Sequence, residues 1–196
     1  MEATIIADKQ LEKEVRSNLE MIIMENTWLL KQMDFKEVAT LVMTIKAANR
    51  VFLIAAGRSG FAMRSAAMRF MHLGLNAHFV GETTTPAIQE GDLLLAASGS
   101  GTTSSIVRAA EKARSVGATV VALSTQTQSS LSSIADQLIL IPAAEKEDHE
   151  GSRSRQYAGS LFEQFLLLLT DAIFQSLWKM EDTPNAELWK RHANLE

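Results

Sequence analysis

The chain has 196 residues, 46% of them hydrophobic, and a formal net charge of −4. This is enough apolar material to bury the core of one domain, and mean hydropathy is near zero at +0.02. The absence of cysteine excludes disulfides, zinc–cysteine sites and thiol nucleophiles, and the lack of a dense Lys/Arg stripe argues against a nucleic-acid partner.

No apolar run approaches the roughly 18 residues needed to span a membrane. The opening Met1-Glu-Ala-Thr-Ile-Ile-Ala-Asp-Lys9 lacks the basic and apolar regions of a signal peptide. The expectation is a soluble, cytoplasmic protein with no membrane partner.

In chain order, Val15, Leu19, Ile22, Leu29 and Met33 recur at helical spacing and predict a helix over about 8–33. A second helix is expected over 35–47, with Asp34 as its N-cap. Strands and helices then alternate: strand 51–55, helix 59–73 closed by Gly74, strand 76–80 and a loop over 81–90. Strand 92–97, helix 103–116 closed by Gly117, strand 119–123, a short helix over 129–135 and strand 137–141 follow. Short apolar strands of this kind are buried on both faces of a parallel sheet. The fold class is therefore α/β, a doubly wound αβα sandwich with five parallel strands in the order 2-1-3-4-5. Residues 142–158 read as a loop and a candidate lid; Glu145 to Arg155 equally reads as a solvated segment, and His149 as a loop residue. A strongly apolar helix over about 160–180 should be buried on most sides. A last short helix begins at Pro184, with Thr183 as its N-cap. The organisation is one domain over 1–196: N-terminal helices at about 8–47, an α/β core at about 50–141, and C-terminal helices at about 160–193. The terminal helices are more apolar than one small sheet requires. They either bury each other or build an oligomer interface, and the surplus favours the oligomer.

Two loops carry the chemistry. Ala56-Gly57-Arg58-Ser59-Gly60 follows the first strand, and Ser98-Gly99-Ser100-Gly101-Thr102-Thr103 follows the third. In the expected strand order these strands are neighbours at the topological switch point, where ligands bind. A strand, a Gly/Ser turn and a helix N-terminus present free N–H groups and a favourable dipole to an anion. Hydroxyls at Ser59, Ser98, Ser100, Thr102 and Thr103 add donors. One such turn alone is an ordinary capped connection; two hydroxyl-rich ones point to one phosphorylated ligand held between them. Arg58 is either a phosphate contact or a solvated surface arginine. No His, Asp or Glu spacing supports a metal site, and Gly57-Arg-Ser-Gly60 lacks the dinucleotide pattern, so no cofactor is expected.

What remains is acid–base chemistry. Glu163 lies in the first turn of the most apolar helix, where burial and the helix N-terminus act on a carboxylate in opposite directions. Ser160-x-x-Glu163 is also the pattern of a capping box, and by pattern alone that reading leads. His192 is a second titrating candidate, or else an exposed histidine near a helix end. His72 and His78 suit packing roles, and Glu82 either lines the crevice or faces water.

Ala56-Gly-Arg-Ser-Gly60, Met68-Arg-Phe-Met-His-Leu-Gly74, Asn76-Ala-His-Phe-Val-Gly-Glu82, Ser98-Gly-Ser-Gly-Thr-Thr103, Gly159-Ser-Leu-Phe-Glu-Gln164 and His192-Ala-Asn-Leu-Glu196 resemble 6-phospho-3-hexuloisomerase, a family of the sugar-isomerase (SIS) domain group. The resemblance runs from about Val51 to the C-terminus. It implies a metal- and cofactor-free isomerase that interconverts 3-hexulose 6-phosphate and fructose 6-phosphate, the second step of formaldehyde fixation through ribulose monophosphate. By matched position, Ser59, Ser98, Ser100 and Thr103 would hold the phosphate, and Gly57, Arg58 and Thr102 in the same two loops complete the expected substrate- and phosphate-binding set. Glu163 is the implied acid/base, and His192 is implied to reach an active site, in its own or a neighbouring subunit. A homotetramer is implied as well. SIS loops often carry glutamate before the final threonine; Thr102 stands there in this chain, so an acid's role at that position is lost. The competing readings are an aldose–ketose isomerase of the same group and a non-catalytic sugar-phosphate sensor.

Overall fold

Alternating side chains along each strand build two separate cores. The computed structural model describes residues 2–144 and 154–195, with side chains from Asp8 onward; Glu145, His149 and Glu196 lie outside the described residues. The helices and strands are α1 (Glu2–Leu30), α2 (Phe35–Ala47), β1 (Val51–Ala55), α3 (Gly57–Leu73), β2 (Ala77–Phe79), β3 (Leu93–Ala97), α4 (Ser104–Ser115), β4 (Thr119–Ser124), α5 (Ser130–Ile134), β5 (Gln137–Leu140), α6 (Ser160–Glu181) and α7 (Asn185–Trp189). The strands form one sheet in the order β2-β1-β3-β4-β5. Neighbours are parallel, with Val51 opposite Leu93 and Leu93 opposite Thr119.

Odd-numbered strand residues such as Leu53, Leu95, Val121 and Leu123 form one core with apolar residues of α2, α3 and α6. Even-numbered Phe52, Ile54, Leu94, Ala96 and Ala122 form the other with α4 and α5. The period of two follows from the pleat, and burial of both faces explains why the strands read as unbroken apolar runs. Right-handed crossovers then place α3 and α4 on opposite faces. Both helices start at the carboxyl edge of the sheet, so the loops after β1 and β3 meet there.

Local chemistry sets most element ends. Asp34 caps α2 by accepting a hydrogen bond from the Lys36 N–H at 2.9 Å. Gly74 ends α3 in the left-handed region, and the Leu75 N–H reaches back to the Phe70 carbonyl. Two expectations are corrected. The N-cap of α7 is Pro184 rather than Thr183: the Pro184 carbonyl accepts from the Glu187 N–H at 2.9 Å, while the Thr183 carbonyl accepts from the Trp178 indole N–H at 2.6 Å. The first helix ends at Leu30 rather than near 33; the chain turns at Lys31 and Gln32, and Met33 tucks into the core. Within that helix Leu29 is buried, whereas Val15 and Leu19 stand out at 59% and 56% exposure.

The opposite, amino edge of the sheet is tied by charge. Asp92, buried before β3, pairs with Arg50 before β1 and accepts from the Gln89 N–H at 2.8 Å. Burial opposes ionisation of this carboxylate and is the largest single influence. The hydrogen bonds from Arg50 and Gln89 and the charges of Arg50 and His78 together outweigh it, so Asp92 titrates below its ordinary value. A depressed carboxylate stabilises the fold above its unfolded value of about 3.9, and that contribution is lost as pH falls through the folded value. Replacing Arg50 by Met strands the buried charge and is expected to cost about 3 kcal/mol at pH 7. In urea unfolding, the gap between variant and wild type should shrink below about pH 4. A gap that stays constant with pH would exclude the pair as its source.

Candidate active site

A cleft of about 620 Å³ opens at the carboxyl edge of the sheet. The loop after β1 supplies Ala56, Gly57 and Ser59, and the loop after β3 supplies Ser98, Gly99, Ser100, Thr102 and Thr103. The two loops that the sequence singled out therefore face one space. The second loop is braced from within. The Ser98 and Thr103 hydroxyls lie 3.0 Å apart, the Gly101 N–H donates to Ser98 Oγ at 3.1 Å, and the Thr102 hydroxyl donates to Ser100 Oγ at 3.0 Å. Below it, the Ser124 and Thr125 hydroxyls and the Thr125 N–H all donate to the Gly99 carbonyl. These bonds hold the loop amides in place before any ligand arrives.

Three helices begin at this cleft without a side-chain cap: α3 at Ala56, α4 at Thr103 and α6 at Gly159. All three residues are cleft walls. Ala56 and Gly159 have no side chain able to accept, and the Thr103 hydroxyl is engaged with Ser98. The first turns of α3 and α4 carry no acidic residue. The positive ends of the three helices thus converge with no side chain capping them, which is the physical description of a site for a multiply charged anion.

The capping box expected at Ser160-x-x-Glu163 is not formed. Gly159, at φ +81°, takes the N-cap position, and the Glu163 N–H bonds to its carbonyl at 3.1 Å. Both side chains that the box needs are held instead by Arg58. Its Nη1 donates to Ser160 Oγ at 3.2 Å and stands 3.0 Å from Glu163 Oε2. The Glu163 side chain is 9% exposed. Its neighbours Gly159 and Phe162 form cleft wall, whereas the Arg58 side chain lies outside that wall and is 63% exposed.

His192 lies elsewhere. It follows α7, stacks on buried His72 with ring centroids 4.1 Å apart, and leans on Trp189 at 4.7 Å. Together with Arg69, Asp171, Phe174 and Trp178 these rings line a separate cleft of about 220 Å³. Burial first, then the neighbouring charges of His192 and Arg69, push the His72 imidazole below its ordinary value. Along α6 the eleven residue steps from Glu163 to Phe174, which lines the cleft with His192, span roughly 16 Å, so His192 does not reach Glu163 of its own chain.

With this geometry in view, comparison with known proteins is decisive. The SIS-domain family model matches residues 44–168. A 3-hexulose-6-phosphate isomerase of Mycobacterium gastri is 50% identical over 97% of this chain and 96% of its own length. The enzyme of the same name from Bacillus subtilis is 43% identical over 78% of this chain and 83% of its own. The chain belongs to the 3-hexulose-6-phosphate isomerase family of SIS-domain proteins. A crystal structure from Methanococcus jannaschii, from which a 3-hexulose-6-phosphate isomerase function was inferred, superposes with TM-score 0.79 at 30% identity, covering 92% of this chain and 99% of that one.

Within this SIS fold the structure brings Gly57, Ser59, Ser98, Ser100, Thr102 and Thr103 to one cleft, leaves Glu163 outside the residues that line it although Gly159 and Phe162 do, and turns Arg58 onto Glu163. His192 is not brought to that cleft. Glu82 faces outward near Arg64, 4.0 Å away. His78 packs against Phe52. Thr125, Gln126 and Gln128, which follow β4, also wall the cleft and were not singled out by the sequence pattern. The rule that ligands sit beyond strand carboxyl ends applies to β4 as well and is the signal that points to them. Among the described residues no group of three or more His, Asp or Glu is placed to hold a metal ion.

Gly101 is the tightest point of the cradle. It has φ +65°, and a Cβ there would lie 2.1 Å from Ser129 Oγ and 2.5 Å from Ser129 Cβ. Gly101→Ala is expected to cost about 2 kcal/mol through strain and displacement of the loop, lowering the midpoint of thermal unfolding by roughly 5 °C. The stabilisation conferred by inorganic phosphate should shrink in the same scans. Full retention of that stabilisation would show that the cradle tolerates the shift.

Proposed function

We infer that this chain is an isomerase that interconverts 3-hexulose 6-phosphate and fructose 6-phosphate. The observation that carries the reading is the meeting at one cleft of three helix N-termini without side-chain caps, one of which carries a buried carboxylate in its first turn. The phosphate sits on the amides and hydroxyls of the loops after β1 and β3, and its binding energy orients the reacting carbons. Glu163 takes the C2 proton of the 3-ketose, leaving a cis-enediolate across C2 and C3. The same carboxylate returns a proton to C3 as the carbonyl forms at C2, with the hydroxyl proton passing from O2 to O3. One base serves both carbons because they are adjacent and present one face. Loop N–H groups and hydroxyls steady the oxygen that carries the developing charge. No metal or cofactor enters the scheme. The SIS unit extends over the whole chain, the terminal helices completing the family core.

Proton NMR of fructose 6-phosphate with the protein in D2O tests the chemistry. The expected result is loss of the C3 proton signal with appearance of the 3-ketose, and a fall of about 10³-fold in that exchange for Glu163→Gln. Exchange at C1 would indicate an aldose–ketose isomerase instead. Binding with no exchange would indicate a sensor.

The working form is a homotetramer, a dimer of dimers. Leu11, Val15, Leu19 and Ile23 make an exposed stripe at four-residue spacing along α1, continued by Met24 and Leu30 and by Leu168 of α6. A helix with such a stripe gains stability by pairing it, and its straight, repeating form suits a second copy of itself. Assembly also supplies His192, which acts in the cleft of a neighbouring subunit. Light scattering should give about four times the 21.5 kDa chain mass. Val15→Glu with Leu19→Glu should lower it. Mixed tetramers of Glu163→Gln and His192→Ala chains should recover activity that neither parent has; no recovery would remove His192 from the neighbouring site.

A further inference from the structure

The placement of Arg58 raises a physical problem that its neighbours resolve. It sits in the first turn of α3, where the positive end of the helix repels a cation, and that turn contains no acid. The compensating charge comes from another helix: Glu163, in the first turn of α6. One guanidinium nitrogen, Nη1, spans to both Glu163 Oε2 and Ser160 Oγ. Ser160 makes no helix-capping bond, because α6 has Gly159 as its N-cap and Ser160 is its first residue. The contact links residues 102 positions apart through the Ser160 bond. Its partners on either side, Gly57 and Ser59, are cleft wall, yet the arginine side chain is not.

We propose that Arg58 is the positioning residue of Glu163, aiming the carboxylate at the substrate's C2 and C3, and is not a ligand of the phosphate. The inference rests on the isomerase reading above. A glutamate has three rotatable side-chain bonds, and a base that must serve two adjacent carbons has little room for error. Displacement by about 1 Å costs on the order of 10²-fold in rate. Binding Oε2 to a guanidinium anchored on α3 fixes the plane and reach of the carboxylate. The phosphate needs no arginine, since three helix ends and the loop hydroxyls already face it.

Arg58→Met and Arg58→Lys, assayed by C3 proton exchange into D2O with fructose 6-phosphate, test the proposal. Arg58→Met should lower kcat by about 10²-fold, while KM and the inhibition constant of inorganic phosphate stay within about threefold, because the phosphate amides are untouched. Arg58→Lys should recover about tenfold of the loss, since an ammonium reaches Oε2 as a point donor but cannot match the planar fork. Added guanidinium should raise the rate of the Met variant and leave wild type unchanged. A rise of tenfold or more in KM and in the phosphate inhibition constant, with kcat retained, would make Arg58 a phosphate ligand and overturn the proposal. Unchanged kinetics in both variants would also overturn it, reducing the pair to a surface contact. If the Met variant does not fold, the Lys variant decides alone: a lowered kcat at constant KM supports the proposal, and any other result refutes it. Absence of exchange in the wild type is a separate outcome that would sink the isomerase reading itself.

Discussion

Three helix N-termini, those of α3, α4 and α6, end at one cleft with no side chain to satisfy their amides, and the rest of the structure arranges and balances that convergence. Each uncapped end leaves N–H groups seeking an acceptor and places partial positive charge at the same point. Such an arrangement disfavours the unliganded protein locally and favours a dianion strongly. It also explains how a chain of net charge −4 can recruit a phosphorylated sugar without a basic patch. The attraction is short-range and built from backbone, so it does not depend on the overall charge.

Bringing the ends together is the task of the sheet. Two apolar cores, one on each face, fix α3 and α6 on one side and α4 on the other. The β2-β1-β3-β4-β5 order puts the loops after β1 and β3 side by side. The two edges of the sheet then serve different purposes. At the amino edge, the Arg50–Asp92 pair is closed and each charge is answered. At the carboxyl edge, donors are left open and held by hydroxyl bridges such as Ser98 to Thr103, so that binding costs little reorganisation. The Arg58–Glu163 pair ties the first turn of α3 to the first turn of α6.

Much of this was legible in the chain because it is local. Runs such as Val51–Ala55 and Leu93–Ala97 are strands by composition and length, Gly74 ends a helix because glycine accepts the left-handed region, and Asp34 caps the next residues by its own side chain. The Gly/Ser loops were legible too, since their residue types suit tight turns with open amides. The start of α6 was not. Ser160 and Glu163 have the spacing of a capping box, and only the approach of Arg58 from another helix takes both side chains away. Thr125, Gln126 and Gln128 escaped notice because nothing in their own stretch marks a site; they matter because β4 lies next to β3. His192 suits a titrating role by residue type, yet its stacking on His72 and Trp189 is a product of packing between α3, α6 and α7.

By itself the sequence determined the α/β class, the strand and helix boundaries to within a few residues apart from the start of α1, and the two Gly/Ser loops that face one cleft. These depend on interactions between residues close in the chain: alternating burial, glycine conformation and the donors of a helix start. Tertiary structure decided which polar side chains pair. It gave Glu163 to Arg58 rather than to its own helix, joined the β4 loop to the cleft, and kept His192 apart from it. The physical reason is that a carboxylate or hydroxyl has several partners of similar strength within reach of its local pattern. Which one it takes is settled by the geometry with which distant helices are packed against the sheet.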